Sequence, residues 1–283
     1  MAQWLRHRPI LAATVALPFM GYFGTAGTIA LQQRHMLFET DDGGQLAAAG
    51  GMAIAGSTRI TLATTDGERI AGWYVPPQPG RPVILFLHGQ GGRLVRQTER
   101  WARISAAGFG VLAISYRGYP GSTGTPSQVG LARDARAGYD WLRARYSAQD
   151  IVIQGHSLGS GVAVELVAKV EARALVLEAP FTAAVDVAAE RMPLLPVYLV
   201  MLDQFRSRDL IGQVRCPVLI VHGEHDGVIP IAHGVRLDSL ARPPKQLVRL
   251  PGSNHNSLPR DGLYDYVIRF LETTAAAGGA GRG

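Results

Sequence analysis

A serine flanked by glycines follows one of the apolar runs of this chain. Residues 155–159 read Gly-His-Ser-Leu-Gly, with a predicted strand before them over 151–154 and a predicted apolar helix after them from Ser160 to Val170. A G-x-S-x-G motif between a strand and a helix is typical of a sharp turn that exposes a hydroxyl at the top of a sheet. Glycine suits both ends of this motif because a Cβ atom there would collide with the strand or the helix. We therefore predict that Ser157 is a nucleophile.

A serine hydroxyl is a weak nucleophile at neutral pH, so it needs a base, and later segments contain candidates. Asp226 lies in a turn-forming segment after an apolar run, and His255 lies among small residues after the last run. In this strand–turn–helix topology the acid and then the histidine follow the serine along the chain. We predict that His255 is the general base and that Asp226 fixes its tautomer. His233 falls within a predicted helix, 231–240, and is interpreted as a surface or packing residue.

Two further interpretations of the segment around Asp226 stay open. The aspartate alone is consistent with an ordinary turn residue. His222, His225 and Asp226 together could bind a metal ion, although no second cluster of carboxylates or histidines in the sequence completes a ligand set. Cys216 is the single cysteine, which excludes both an intramolecular disulfide and a cysteine-based zinc site. We expect neither a metal ion nor an organic cofactor.

A glycine-rich segment, His-Gly-Gln-Gly-Gly, follows the apolar run 83–87 and occupies residues 88–92. Glycines allow such a loop to bring a backbone amide close to a nucleophile, and the residue after the nucleophile supplies a second amide. Two amides in this position stabilise the negative oxygen of a tetrahedral intermediate. We predict that the backbone N–H groups of Gln90 and Leu158 form this oxyanion hole, and we interpret His88 as a residue that orders the loop.

Eight predicted strands position these residues. Residues 59–62 and 70–75 flank a Thr-Asp-Gly turn and predict an antiparallel hairpin. Six later runs are nearly continuously apolar, as in parallel strands covered on both faces, namely 83–87, 111–115, 151–155, 174–178, 218–222 and 246–250. Helical patterns separate them, and one starts at Thr125-Pro126 with proline at the first helical position. We predict an α/β fold with a doubly wound, mostly parallel sheet, whose ligand site lies at the carboxyl ends of the strands.

Residues 9–33 contain no charged side chain. A stretch of this length and character is long enough to cross the hydrocarbon core of a membrane as a helix. Basic residues at 6–8 precede it, which favours a catalytic domain on the extracytoplasmic side of the membrane. We expect a single-pass N-terminal transmembrane helix, and a cleaved signal peptide and a segment of a soluble fold are the alternatives.

The remaining composition sets the domain organisation. We predict a membrane anchor, a Gly/Ala-rich linker, a folded domain and a flexible tail, at residues 1–35, 36–56, 57–272 and 273–283. The 283 residues include 28 Lys and Arg and 22 Asp and Glu, for a net charge of +6. The arginines are scattered and alternate with acids, which is typical of a solvated surface rather than a nucleic-acid-binding face. We expect no nucleic acid partner.

Six sequence blocks in chain order resemble the α/β-hydrolase superfamily. They are residues 88–89, 116–118, 155–159, 179–182, 222–226 and 252–256. The blocks are similar to a membrane-anchored branch of serine aminopeptidase-like hydrolases, which is related to abhydrolase proteins with an N-terminal anchor. The resemblance covers residues 57–272. It implies an α/β-hydrolase fold with a minimal lid, because only about 37 residues, 181–217, separate two predicted strands.

The resemblance also implies a serine hydrolase that forms an acyl-enzyme on Ser157 with a Ser-Asp-His triad. We expect it to cleave carboxylic esters or thioesters, because the apolar N-terminal segment and an apolar stretch at 192–199 suit a lipid-like acyl substrate. A serine aminopeptidase or amidase with the same triad is the alternative within hydrolases. A non-catalytic, membrane-anchored binding module is the alternative of another class, but a scaffold has no need for all three triad residues.

Overall fold

An eight-stranded β-sheet runs through the centre of the computed structural model, which describes residues 8–40, 56–91 and 98–279. The strands are β1 (Thr58–Ala63), β2 (Arg69–Val75), β3 (Val83–Leu87), β4 (Gly110–Ile114), β5 (Ile151–His156), β6 (Ala174–Glu178), β7 (Val218–Gly223) and β8 (Lys245–Leu250). Their spatial order is β1-β2-β4-β3-β5-β6-β7-β8. β2 is antiparallel to both of its neighbours, and β3 to β8 pair in parallel. The predicted mostly parallel, eight-stranded sheet is confirmed.

Helices cover both faces of this sheet. They are α1 (Arg8–Leu37), α2 (Thr98–Ala106), α3 (Gln128–Arg143), α4 (Leu158–Val167), α5 (Ala184–Arg191), α6 (Val197–Val200), α7 (Ser207–Leu210), α8 (Ile231–Leu240) and α9 (Leu263–Gly279). Side chains of α3, α4 and α8 share one apolar cluster with the sheet, and those of α2 and α9 share a second cluster on its other face. Along β3, Leu85 belongs to the first cluster and Phe86 to the second, because successive strand side chains point to opposite faces.

Two helices begin at residues other than those predicted. α3 starts at Gln128 rather than beside Pro126, because the Ser127 hydroxyl accepts a hydrogen bond from a backbone N–H of the first turn (3.1 Å). α4 starts at Leu158 rather than at Ser160, so its first turn follows directly on the serine of the G-x-S-x-G motif. Both differences are local, and the order of strands and helices is the predicted one.

The C-terminal helix extends past the predicted end of the folded domain. α9 runs to Gly279, seven residues beyond the predicted domain end at residue 272. The Thr273 hydroxyl donates a hydrogen bond to the Phe270 carbonyl (2.9 Å) within it. The predicted tail, residues 273–283, therefore begins as helix, and its last four residues lie outside the described part of the chain.

The C-terminal half of α1 packs against the chain between α6 and α7. The Gln33 side chain donates a hydrogen bond to the Val200 carbonyl (3.0 Å) and accepts one from the Leu202 N–H (2.6 Å). At the next residue, Arg34 Nε and Asp203 Oδ2 form an ion pair at 2.7 Å. These three contacts fix the helix to the segment that connects β6 with β7.

The residues after α1 also belong to the folded domain. Phe38 is 1% exposed and packs edge-on against Phe205, with ring centroids 6.4 Å apart. The predicted linker, 36–56, therefore begins within the packed part of the chain. The sequence pattern gives no sign of this tertiary contact. Residues 41–55, which form most of that linker, lie outside the described residues.

No helix in the described part of the chain is both long and apolar enough to cross a membrane. The transmembrane anchor predicted from residues 9–33 is therefore not supported. At the end of that stretch, Gln33 and its neighbour Arg34 form polar contacts with the folded domain. The absence of charge predicted a membrane span, but it did not show that the last turns of the helix pack on protein.

Candidate active site

Ser157 lies at the turn between β5 and α4. Its backbone has φ = 52° and ψ = −119°, in the left-handed half of conformational space that non-glycine residues avoid, at a cost of about 1–3 kcal/mol. The Ser157 N–H donates to the carbonyl of Glu178 on β6 (2.9 Å). A Cβ atom on Gly155 would overlap the Gly159 carbonyl, and one on Gly159 would overlap the Leu87 carbonyl. The turn is therefore sharp, and it holds the serine at the carboxyl edge of the sheet.

Asp226 lies in the turn that follows β7. One carboxylate oxygen accepts hydrogen bonds from the N–H groups of Val228 and Ile229, each at 2.8 Å. Burial alone would raise the pKa of Asp226, but hydrogen bonds from His222, His255 and the Ile229 N–H outweigh it and hold the pKa below its ordinary value. The carboxylate is therefore ionised at neutral pH, and its orientation is fixed by its own turn.

His255 lies in the loop after β8 and connects the other two side chains. Its Nδ1 donates to the second carboxylate oxygen of Asp226 at 2.8 Å, and its Nε2 accepts from the Ser157 hydroxyl at 3.0 Å. The ring is 8% exposed. The three residues predicted as nucleophile, base and acid are thus brought together, although Ser157 and His255 are 98 positions apart. Such an arrangement can pass a proton from the hydroxyl to the imidazole while the carboxylate stabilises the imidazolium.

The segment after β3 passes close to the serine. A Cβ atom added to Gly89 would lie 3.2 Å from the Ser157 Cβ atom, so glycine is needed for this approach. His88 donates to the Gly89 carbonyl (2.7 Å) and accepts from the Tyr116 N–H (3.3 Å). Complete burial lowers the pKa of His88 to about 4, so the ring is neutral at pH 7. These contacts agree with the loop-ordering role predicted for His88.

The two predicted oxyanion donors are residues of the segment after β3 and of the first turn of α4. Leu158 is the first residue of α4, where backbone N–H groups have no acceptor within the helix. Gln90 is held by two contacts, since its side chain donates to the Met36 carbonyl (2.6 Å) and its own carbonyl accepts from the Tyr119 hydroxyl (2.8 Å). The oxyanion role of both amides stays a prediction.

A buried polar network beneath the serine escaped the sequence analysis. Glu178 is fully buried and receives hydrogen bonds from Arg100 on α2 and from Gln154 on β5. Burial and the nearby Arg100 guanidinium hold the pKa of His156 well below its ordinary value, so the ring is neutral. The distance from its Nε2 to the His255 carbonyl oxygen is 3.5 Å. The signal that could have revealed the network is a glutamate at the end of an otherwise apolar run, 174–178.

The metal-binding interpretation is not supported by the geometry. Among the described residues, no group of three or more His, Cys, Asp or Glu side chains is placed to hold a metal ion. His222 Nε2 donates to the Ile229 carbonyl (2.8 Å) and lies 3.4 Å from the Asp226 carboxylate, whereas His225 is exposed. His233 is buried and its Nδ1 accepts from the Thr182 backbone N–H (3.3 Å), which agrees with the predicted packing role.

Comparison with known proteins decides the family. Residues 82–210 match the family model of the alpha/beta hydrolase fold. An uncharacterized protein of Mycobacterium tuberculosis is 35% identical over 271 residues, which cover 93% of this chain and 96% of that protein. The chain belongs to the α/β-hydrolase family. The fold and the order of the six sequence blocks agree with this membership.

Two further comparisons place this α/β hydrolase among characterised proteins. The lysophosphatidylserine lipase ABHD12 of Danio rerio is 35% identical over 223 residues, which cover 71% of this chain and 57% of the lipase. The chain thus spans little more than half of that relative. The solved structure of the esterase Pf2001 of Pyrococcus furiosus has a TM-score of 0.64 and 20% identity, over 77% of this chain and 92% of the esterase. This likeness concerns the fold.

Proposed function

We propose that this α/β hydrolase is a serine hydrolase that forms an acyl-enzyme on Ser157. The observation that carries the proposal is the hydrogen-bonded series from Ser157 Oγ to His255 (3.0 Å) and on to Asp226 (2.8 Å). As Oγ attacks the substrate carbonyl, His255 takes the hydroxyl proton and then gives it to the leaving group. The amides of Gln90 and Leu158 bind the oxyanion, and Asp226 stabilises the imidazolium.

Water completes the proposed reaction. His255 takes a proton from the water as its oxygen attacks the acyl carbon, and the proton returns to Ser157 Oγ when the ester bond to the serine breaks. The acid product then leaves, and the hydroxyl is restored. No group beyond these side chains and water is needed to balance either step.

Carboxylic esters and thioesters with a lipid-like acyl chain are the proposed substrates. The likeness to a lysophosphatidylserine lipase supports an ester of a lipid, although the chain covers only 57% of that relative. Apolar side chains exposed on the segment between β6 and β7 also support it, including Leu194, Leu199 and Leu202. Aminoacyl amides, the substrates of the alternative aminopeptidase or amidase, are compared in the test below.

Labelling with a fluorophosphonate tests the proposed chemistry. We expect wild-type protein to be labelled and to hydrolyse p-nitrophenyl esters, and Ser157→Ala to lose both properties because the nucleophile is absent. Ser239→Ala, which removes an exposed serine on α8, serves as the matched control and should match the wild type. Folded protein without labelling would indicate a binding module. Faster cleavage of aminoacyl p-nitroanilides than of all esters would favour the amidase.

The proposed site of action is the surface of a lipid bilayer. Eight of the twelve exposed large apolar side chains among the described residues lie on α1 or in residues 194–202, namely Met20, Tyr22, Leu31, Met36, Leu194, Tyr198, Leu199 and Leu202. The Tyr22 hydroxyl donates to the Leu194 carbonyl (2.9 Å), so the two segments form one surface. A concentration of exposed apolar side chains of this kind is typical of an interaction surface.

Co-sedimentation with vesicles of phosphatidylcholine and phosphatidylglycerol tests this localisation. The double variant Leu194→Ser and Leu199→Ser should bind vesicles about tenfold more weakly or worse, because two leucines no longer enter the bilayer. Val129→Ser with Val235→Ser removes two exposed valines elsewhere and is the matched control. Equal binding by the wild type and both double variants would refute the proposed surface.

A further inference from the structure

An apolar cavity of about 190 Å³ lies between the C-terminal half of α1 and the helices α5 and α6. Ile29 and Met36 contribute to it from α1, and Val187, Val197 and Met201 line it from the opposite side. A cavity of about 150 Å³ with comparable apolar walls is large enough to bind benzene. The space is therefore sufficient for a short stretch of hydrocarbon.

The polar groups around this cavity already have partners. Gln33 uses its amide nitrogen on the carbonyls of Ala30 (2.6 Å) and Val200 (3.0 Å), and its amide oxygen accepts the Leu202 N–H. Arg191, the charged residue of the lining, donates to the Val228 carbonyl (2.8 Å). Because these side chains have their hydrogen-bond partners in the protein, the cavity offers a ligand mainly apolar surface.

The cavity adjoins the segment that passes the nucleophile. Met36 lines the cavity, and its carbonyl accepts the hydrogen bond from the Gln90 side chain (2.6 Å). Gly89, the neighbour of Gln90, lies close enough to Ser157 that an added Cβ atom would come within 3.2 Å of the serine Cβ atom. On this side, the hydrogen bond between Gln90 and Met36 connects the cavity wall to the loop beside the serine.

The opposite wall is also connected to the nucleophile. Ala184, the first residue of α5, lines the cavity and follows Phe181 by three positions. The Phe181 ring lies against the first turn of α4, where a Cβ atom on Gly161 would come within 2.8 Å of it. Both walls of the cavity are therefore connected, through the residues that link Met36 to Gly89 and Ala184 to Phe181, to the turn that carries Ser157.

We infer that this cavity receives the acyl chain of the substrate and that α1, as one of its walls, sets the chain length that is preferred. The inference rests on the proposed function, since it concerns the substrate of the same serine. The volume corresponds to chains of about six to eight carbons, because a somewhat smaller apolar cavity holds a six-carbon ring. α1 is then part of the enzyme's specificity rather than an accessory to the fold.

Hydrolysis of p-nitrophenyl esters from acetate to dodecanoate tests this inference. Ala30→Trp fills the cavity from α1, and we expect kcat/KM for the octanoate to fall about tenfold or more, since methylene groups lose their apolar contacts. Hydrolysis of the acetate should stay within about twofold of wild type, because an acetyl group does not reach the cavity. Val129→Trp is the matched control, since this residue on α3 is 61% exposed and lies outside both the cavity and the proposed bilayer surface, so its profile should remain that of the wild type.

A second variant tests the opposite wall. Val187→Phe on α5 should give the same selective loss for long esters as Ala30→Trp. Unchanged chain-length profiles in both variants, with the octanoate still preferred, would overturn the inference. Failure of the proposed function has a different signature, namely that the wild type hydrolyses no ester and takes no fluorophosphonate label.

Discussion

The two carboxylate oxygens of Asp226 have different hydrogen-bond partners. One oxygen is bound by the N–H groups of its own turn, which fixes the carboxylate, and the other accepts the Nδ1–H of His255. His222 approaches the same carboxylate from a third side at 3.4 Å. Since these interactions keep the pKa of Asp226 low, the group is an anion at neutral pH. The imidazole is therefore held with Nε2 free to accept the serine proton.

Asp226→Asn isolates this effect. The amide nitrogen cannot accept the Nδ1–H of His255, so the imidazole is expected to turn or to adopt the wrong tautomer. We predict a fall in kcat on the order of 10⁴, with KM for the ester little changed. Initial rates with p-nitrophenyl octanoate measure the change, and thermal unfolding checks that the variant is folded. A folded variant with a rate within about tenfold of wild type would contradict the role assigned to Asp226.

At the scale of elements, the end of β7 and the loop that carries His255 are in direct contact. A Cβ atom on Gly223 would overlap the Ser253 carbonyl, two residues before the histidine. Gly227, in the turn after β7, has nothing within 4 Å of an added Cβ atom. The position of His255 therefore depends on a glycine in another element, at a site with no tolerance for a methyl group.

Gly223→Ala tests this dependence. The methyl group displaces the His255 loop, so we expect a loss of activity of at least about tenfold and of about 1–3 kcal/mol in the free energy of unfolding. Gly227→Ala is the matched control and should leave both nearly unchanged. Ester hydrolysis and urea unfolding provide the measurements. Equal activities and equal free energies of unfolding in the two variants would show that the His255 loop accommodates the methyl group.

The sequence predicted these elements where the signal is local. β3, β6 and α8 have the predicted bounds, because continuous apolar runs and helical periodicity depend on neighbouring residues. The meeting of Ser157, Asp226 and His255 was predictable from topology, since each follows a strand of the same sheet. The packing of α1 was not predictable, because Gln33 and Phe38 have partners more than 160 positions away. The ion pair between Arg100 and Glu178 was not predicted for the same reason, because it joins two elements that are distant in the sequence.

At the scale of the whole molecule, buried neutral histidines make stability depend on pH. His88 packs between Tyr116 and Tyr119 with no exposed surface, and its pKa falls to about 4. In the unfolded chain the same ring has a pKa of about 6.5. Below pH 6.5 the unfolded state therefore binds a proton at this ring, whereas the folded state does not until the pH nears 4. The stabilisation is complete above pH 6.5 and is lost as the pH falls toward 4.

We therefore predict that lowering the pH from 7.5 to 5 removes about 2 kcal/mol of the free energy of unfolding through His88 alone. Buried His156 contributes in the same direction. In His88→Asn the change between the two pH values should be smaller by about this amount, whatever the variant's stability at pH 7.5. Urea unfolding at both pH values measures it. An identical pH dependence in the wild type and the variant would exclude His88 as the source.

The docking of α1 has a practical consequence for work with shortened proteins. A chain that begins after Leu37 keeps the serine, the imidazole and the carboxylate, but it loses the Met36 carbonyl that holds Gln90 and the ion pair between Arg34 and Asp203. Removing the first 37 residues to improve yield or solubility would thus leave the three side chains of the proposed triad in place while removing one wall of the cavity between α1, α5 and α6. Substrate profiles obtained with such a truncation would describe a different enzyme from the intact chain.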